Sequence, residues 1–438
     1  MTTSGPPGEG VVNRRARTAG RLQPLRTAVR TVLTGLVTAL DYAVPKSRTV
    51  LALGGDDGAK FGGSSKRLFE DALRTGDWDP YWFTTSRAVL EAVRAEHPGR
   101  ALMATGPRAL LLGVRARAVL VSHSRRDVGL LGYSRLRRFT QLTHGVGPKT
   151  MGYAKRDVDL PSLDRETSTY AHVVCASDFE ATFWERAYRL PLADIWTTGV
   201  PRTDALLEPA DPGLVERHPV LAGRTVLYAP TFRDWALLED YLPVPGTDAA
   251  ALVALLERHD ATLLVRPHYY EADAARATIE RVGSPRVQAA DDTVFPDANE
   301  LLKHVDVLVT DYSSIYTDFL LLDRPVVFTP VDLQEYEGAR GFFFRYEELT
   351  PGTRAVTPEQ LLAALDAELS GQDPHRAERA RVRSVFHKHP EGGASARVLQ
   401  HLAAEPVRWP APPPRDRSQR SAWPAWHDRS YLSPQPAR

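Results

Sequence analysis

The chain alternates short β-rich runs with amphipathic helical segments, and it does so in two successive blocks. In the first, "TVLALGG", "YWFTT", "ALMAT", "AVLVSH", "FTQLTH", "HVVCAS" and "IWTTGV" read as strands. The segments "SKRLFEDALRT", "SRAVLEAVRAE" and "DFEATFWERAYR" read as helices between them. The second block has "TVLYAPT", "ATLLVRPH", "VQAAD", "DVLVTDYSS" and "PVVFTPV" as strands. Its helices are "DAAALVALLERH", "DAARATIERV", "NELLKHV" and "SIYTDFLLL". Strands separated by helix-length connections can pair in parallel and be covered on both faces, whereas hairpin-linked strands cannot. The polar, proline-punctuated "TDALLEPADPGLVERHP" parts the blocks. This pattern predicts an α/β fold of two Rossmann-like domains facing a cleft, over 46–204 and 225–403, joined by a linker at 205–224.

The flanks differ in kind. Between Val11 and Leu40 there are six arginines and no acid, and Leu22, Leu25, Val29, Val32, Leu33, Leu36 and Leu40 recur at helical spacing. Residues 1–45 are therefore a basic arm leading into an amphipathic helix. Two readings stand: the helix lies on an anionic membrane surface, or it docks on the body. Residues 404–438 carry eight prolines and Trp409, Trp423 and Trp426 in a stretch that cannot build a core, and are expected to be disordered.

Composition excludes several classes. The net charge of +1 gives no global electrostatic case for nucleic acid. The single cysteine, Cys175, excludes an internal disulfide framework, suits a reducing cytoplasm, and lies in an apolar run that predicts a core position. No apolar run reaches the length of a membrane-spanning helix.

Ligands of open α/β sheets bind beyond the carboxyl ends of the strands. Four strands end in unusual polar clusters: His144-Gly145-Val146-Gly147-Pro148-Lys149; Pro230-Thr231-Phe232-Arg233-Asp234; Arg266-Pro267-His268; and Asp311-Tyr312-Ser313-Ser314. In the last, Ser313 or Ser314 reads as the N-cap of a following apolar helix. A helix start flanked by Arg233, Arg266 and His268 predicts a diphosphate site. Dinucleotide, P-loop and nucleophile-elbow fingerprints are absent. His387 and His389 form an H-x-H pair without supporting ligands and read as a solvated helix end rather than metal ligands. His97, His172, His218 and His304 read as surface residues. No acidic pair forms a convincing metal site, so arginine, histidine and a helix start are expected to meet phosphate charge without metal.

In this order the four clusters resemble the CDP-glycerol glycerophosphotransferase family, whose members build teichoic acids and related polyol-phosphate polymers. Its "HG-T-P-K--G" segment is similar to His144 to Gly152, "G-PR-D" to Gly199 to Asp204, "YAPT-RD" to Tyr228 to Asp234, and "R-H" to Arg266 to His268. The segment "VTDYSSIYTDFLLLDRPVVF", Val309 to Phe328, is the most specific match, and the likeness covers roughly residues 48 to 395. Two departures stand out. Gly62-Gly63-Ser64-Ser65 replaces an Asp-Asn pair, and Val146-Gly147 occupies the place of a usual threonine.

The resemblance implies a GT-B type fold with the nucleotide on the C-terminal domain and two essential histidines, matching His144 and His268. It also implies CDP-glycerol or another CDP-polyol as donor and a lipid-linked wall or capsule precursor as acceptor. The location implied is the inner face of the cell membrane, with no cofactor required. His144 is expected to be the general base, a role worth about 10²–10⁴ in rate. His268, Arg233, Arg266, Thr231, Asp311, Ser313 and Ser314 are expected on the donor phosphates. Asp318 is a candidate for donor glycerol or ribose, or a solvated helix acid. Gly145, Lys149 and Arg202 fall on the acceptor side, with Lys149 and Arg202 equally readable as solvated charges and Asp311 as the cap of its own turn. A nucleotide-sugar glycosyltransferase of the same fold and a catalytically silent scaffold of wall assembly are the competing expectations.

Overall fold

The computed structural model describes residues 28–143, 145, 147–155, 158–233, 240–268 and 271–407. The basic arm before residue 28, His144, Val146, Asp234 and the tail from residue 408 lie outside the described residues. The first sheet contains β1 (Val50–Gly54), β2 (Asp79–Thr84), β3 (Ala101–Met103), β4 (Ala118–Val121), β5 (Phe139–Gln141), β6 (Tyr170–Val174) and β7 (Ile195–Trp196), in the order β3-β2-β1-β4-β5-β6-β7. The second contains β8 (Arg224–Ala229), β9 (Ala261–Val265), β10 (Val287–Ala289), β11 (Val307–Thr310), β12 (Val326–Phe328) and β13 (Thr353–Arg354), ordered β10-β9-β8-β11-β12-β13. Every pairing is parallel.

Parallel strands covered on both faces should be apolar throughout, and β1 and β9 are buried at every position. Odd and even residues of β1 then serve opposite cores. Val50 and Ala52 pack with Phe83, Val119 and Phe139, whereas Leu51 and Leu53 pack with Phe69, Trp82 and Trp196. Local signals fix where the covering helices begin. Ser86 accepts from Val89 N, Ser177 from Glu180 N, Asp248 from Ala250 N, and Thr357 with Gln360 forms a capping box. Cys175 is fully buried, as expected.

Two boundaries differ from the sequence reading. The last helix, Ala394–Ala404, leaves the second domain and packs Val398, Leu399 and Leu402 against Leu51, Trp82 and Trp196 of the first sheet. Asp204 receives its first free N–H groups, from Ala394 (2.9 Å) and Ser395 (3.0 Å). The expected 225–403 domain thus gives up its closing helix, because the apolar surface awaiting that helix lies on the other half. At the other end, helical backbone runs through 28–43. It docks by Val37, Leu40 and a buried Asp41 that pairs with Arg137 (2.5 Å) and Lys46 (2.7 Å), while Val29, Val32 and Leu36 remain exposed. One stripe of the helix is thus docked on the body, and the other is open. Among the described residues no helix is long and apolar enough to cross a membrane.

Candidate active site

In the second sheet the strand order reverses between β8 and β11, which opens a crevice at their carboxyl ends. Thr231 and Arg233 follow β8; Asp311, Tyr312, Ser313 and Ser314 follow β11. Asp311 is buried and joins the two ends. Its Oδ1 accepts from Thr231 N (2.8 Å) and Tyr312 N (2.6 Å), and its Oδ2 lies 3.0 Å from Arg233 Nη2. Of the two readings of Asp311, the structure displays the turn-capping contacts.

Arg233 departs from expectation. Its guanidinium is buried, forms a bidentate pair with Asp332 (2.5 and 2.8 Å), and donates Nη1 to Thr231 O (2.7 Å). It lies over the rings of Tyr312 and Tyr336. Two carboxylates and a carbonyl already engage this cation, so its charge is paired within the crevice wall. Arg266 is likewise committed, with Nη1 to Ala290 O and Phe295 O (both 2.8 Å) and Nη2 to Asp292 (2.6 Å). The sequence placed both arginines at the right strand ends but could not show their carboxylate partners, Asp332 and Asp292, which are remote in the chain.

His268 follows β9, half-buried, with its ring stacked on Phe232 at 5.0 Å. Burial, then the positive charge of Lys149, hold its pKa below the ordinary histidine value. Lys149 belongs to the loop after β5 yet is held by the second domain. Phe343 N donates to Pro148 O (2.7 Å), Thr150 N to Gly341 O (3.0 Å), and Thr150 Oγ1 to Arg340 O (2.6 Å). These bonds flank an antiparallel bridge between Lys149 and Phe342. Lys149 makes no ion pair among the described residues. Burial and Arg340 hold its ammonium below the ordinary lysine value, against the pull of Asp311.

The rest of that loop presses on the serine turn. A Cβ on Gly145 (φ 98°) would meet Arg202 Nη2 at 2.6 Å and Ser314 Oγ at 3.5 Å; one on Gly147 would lie 3.0 Å from Ser314 N. Close approach of two backbones is thus a physical reason for glycine at 147, in the Val146-Gly147 pair that departs from the family pattern. Ser314 occupies the N-cap of helix Ile315–Phe319 without a side-chain cap bond, and Ser313 Oγ accepts only a long 3.4 Å bond from Ile315 N. Both hydroxyls remain partly exposed.

Arg202 and Asp318 were assigned to opposite substrates, and the structure pairs them with each other. Nε and Nη2 of Arg202 donate to the two carboxylate oxygens of Asp318 (2.7 and 2.8 Å), across the domain boundary and largely buried. Neither is the solvated charge it could have been. Beneath them lies Glu180, whose carboxyl is pushed up to about 7 by burial, against the bonds from Ala176 N and Trp184 Nε1. His387 is also buried there, its Nε2 2.7 Å from Thr317 O. That corrects the solvated reading of His387; the fold buries what a local pattern placed at a helix end. His172 (stacked on Trp196), His218 (against Phe295), His97 and His304 are half-buried rather than surface residues for the same reason.

Two doubly wound domains, with strand-end clusters meeting across one cleft, define a two-domain transferase architecture of the GT-B kind. The sequence pattern of the CDP-Glycerol:Poly(glycerophosphate) glycerophosphotransferase family matches residues 36–404, and the chain belongs to that family. It is 27% identical over 286 residues to the teichoic acid glycerol-phosphate transferase of Staphylococcus aureus (strain NCTC 8325 / PS 47), covering 60% of this chain and 70% of that one. It is 27% identical over 247 residues to the teichoic acid ribitol-phosphate polymerase TarL of the same strain, covering 54% of this chain and 43% of that one. The chain therefore spans less than half the length of that polymerase. The structure of the wall teichoic acid polymerase TagF superposes with a TM-score of 0.70 at 21% identity, covering 89% of this chain and 97% of that one, which establishes the fold.

Proposed function

We propose that the chain transfers a polyol phosphate, glycerol phosphate first among candidates, from a CDP-polyol to a hydroxyl of a lipid-linked wall or capsule precursor. Family membership supports the reaction class. The observation that carries the reading for this chain is the meeting of Lys149, Ser313, Ser314 and His268 at one strand-end crevice, contributed from both domains. In this reading the acceptor oxygen attacks the β-phosphorus and a new P–O bond forms. The bond to the bridging oxygen breaks, and CMP leaves with that electron pair. His144 takes the acceptor's proton. His268 donates to the diphosphate, and Lys149 supplies the cation that Arg233 and Arg266 cannot, since carboxylates already hold theirs. Ser313 and Ser314 offer hydroxyls to the same phosphates. Arg202 and Asp318 act by holding the loop of His144 against the serine turn. The open stripe of Val29, Val32 and Leu36, next to the arginine-rich arm, suits peripheral binding to the anionic inner membrane face, where a lipid-linked acceptor resides.

The test is incubation with CDP-glycerol or CDP-ribitol and a synthetic lipid-linked acceptor, with products read by mass spectrometry. A mass increase of one or more polyol phosphates, lost in His144→Ala and His268→Ala, is expected. Stabilisation by UDP but not CDP in thermal melts, with no transfer from either donor, would replace this reading by the nucleotide-sugar alternative.

A further inference from the structure

The first sheet has a strand-order reversal of its own, between β1 and β4, and none of the residues discussed so far uses it. Beyond β1 the chain runs Gly55-Asp56-Asp57, and beyond β4 it runs Ser122-His123-Ser124. A wholly buried carboxylate, Asp127, joins these loops by accepting from Asp57 N (2.8 Å), Ser122 N (2.9 Å) and His123 N (3.0 Å).

The backbone here is strained. Asp56 (φ 54°), Asp57 (φ 53°) and Thr143 (φ 56°) are non-glycine residues in the left-handed region, at the ends of β1 and, two residues beyond its last, β5. The other such residues among those described, Arg189, Asp260 and Asp323, lie just past helix ends, where this conformation is ordinary. Strain away from helix ends concentrates where function requires it. One buried amide ties the two loops together. Gln141 Nε2 donates to His123 O (3.0 Å), and its Oε1 accepts from Thr143 N (3.1 Å), the residue preceding His144.

Three polar groups of both signs converge on this crevice. Asp56 N donates to His123 Nδ1 (3.3 Å), so the ring proton sits on Nε2, 3.6 Å from Asp56 Oδ1. Lys60 Nζ lies 3.6 Å from Asp56 Oδ2 and bonds Asp292 of the second domain (2.9 Å), the partner of Arg266. The cluster therefore faces the strand end that bears His268.

We propose that Asp56, His123 and Lys60 form the cradle for the hydroxyl-bearing end of a phosphorylated polyol acceptor. Asp56 accepts from its hydroxyls, while His123 Nε2–H and Lys60 donate to hydroxyl and phosphodiester oxygens. A carboxylate beside an ammonium fits a ligand that carries both hydroxyls and phosphate, and does not fit an acyl chain. This inference rests on the proposed transfer reaction, and it is tested without turnover.

The full chain is titrated calorimetrically, with no donor present, with a short-chain lipid disaccharide bearing one glycerol phosphate. Asp56→Gly and His123→Gln are compared with wild type; the glycine also relieves the positive φ, so folding is preserved. Each variant should weaken acceptor binding about tenfold or more, the scale of one lost charge-assisted hydrogen bond, and leave CDP affinity unchanged. The disaccharide lacking glycerol phosphate should bind wild type more weakly. Wild-type affinity in both variants, no binding to wild type, or equal affinity for the two disaccharides would overturn the cradle. Absence of transfer from any CDP-polyol, with acceptor binding lost in Asp56→Gly, would refute the proposed reaction and leave the cradle standing.

Discussion

Replacing Arg233 by methionine separates a bracing role from a phosphate-binding one. The substitution removes the bidentate pair with Asp332, the 3.0 Å ion pair with Asp311 and the bond to Thr231 O. It strands a carboxylate at Asp311, which is 2% exposed, and another at Asp332. Leaving buried charge without its partner costs about 3–5 kcal/mol. For a domain of this size each kcal/mol moves the midpoint by about 2–4 °C, so scanning calorimetry should show a fall on the order of 10 °C. CDP affinity, measured well below the transition, should be largely retained. The effect also depends on pH. Burial raises the Asp332 carboxyl, but the hydrogen bonds and charge of Arg233 outweigh burial and hold it below the ordinary carboxylate value. A lowered folded pKa stabilises above the unfolded value and is lost as pH falls through the folded one. The gap between wild type and variant should therefore be widest near neutrality and close below about pH 4. A variant that melts with wild type but no longer binds CDP would refute the reasoning and return Arg233 to the ligand.

Lys149→Met should weaken CDP binding about tenfold or more by calorimetry, the scale of one charge-assisted hydrogen bond. Because Lys149 lowers the His268 pKa, the same variant should raise it in an NMR titration; an unmoved His268 would place Lys149 too far away to share its ligand. Val32→Ser with Leu36→Ser should release the protein from anionic vesicles in a sedimentation assay without changing its melting temperature, since both side chains are solvent-exposed. Unaltered sedimentation would give that stripe another purpose.

What the sequence made legible divides along a physical line. Strands such as β1 and β9 were readable because burial on both faces requires unbroken apolar runs. The strand β13 was missed, since two residues carry no period, and helix Pro107–Arg115 was missed although a proline opens it. Strand-end clusters were legible for Arg233, Arg266 and His268 because they are local. Their commitments were not, because Asp332 lies about a hundred positions from Arg233 and Asp318 lies farther still from Arg202. Nor did "GGDDG" reveal its strain. Only the fold shows that two adjacent aspartates, rather than the two glycines before them, adopt left-handed backbone together with Gly58.

Two of the ion pairs that join the domains are unequal in their dependence on solvent. Arg202 and Asp318 are side chains with 12% and 9% exposure, whereas Lys60 and Asp292 have 55% and 36%. Breaking the first strands buried charge; breaking the second costs little, since water replaces each partner. The chain also crosses between halves beside the first pair, where Asn299 holds Arg202 O (2.8 Å) and Asp204 caps the returning helix. Arg202–Asp318 is thus the contact that salt leaves in place, and Lys60–Asp292 the one that ionic strength weakens.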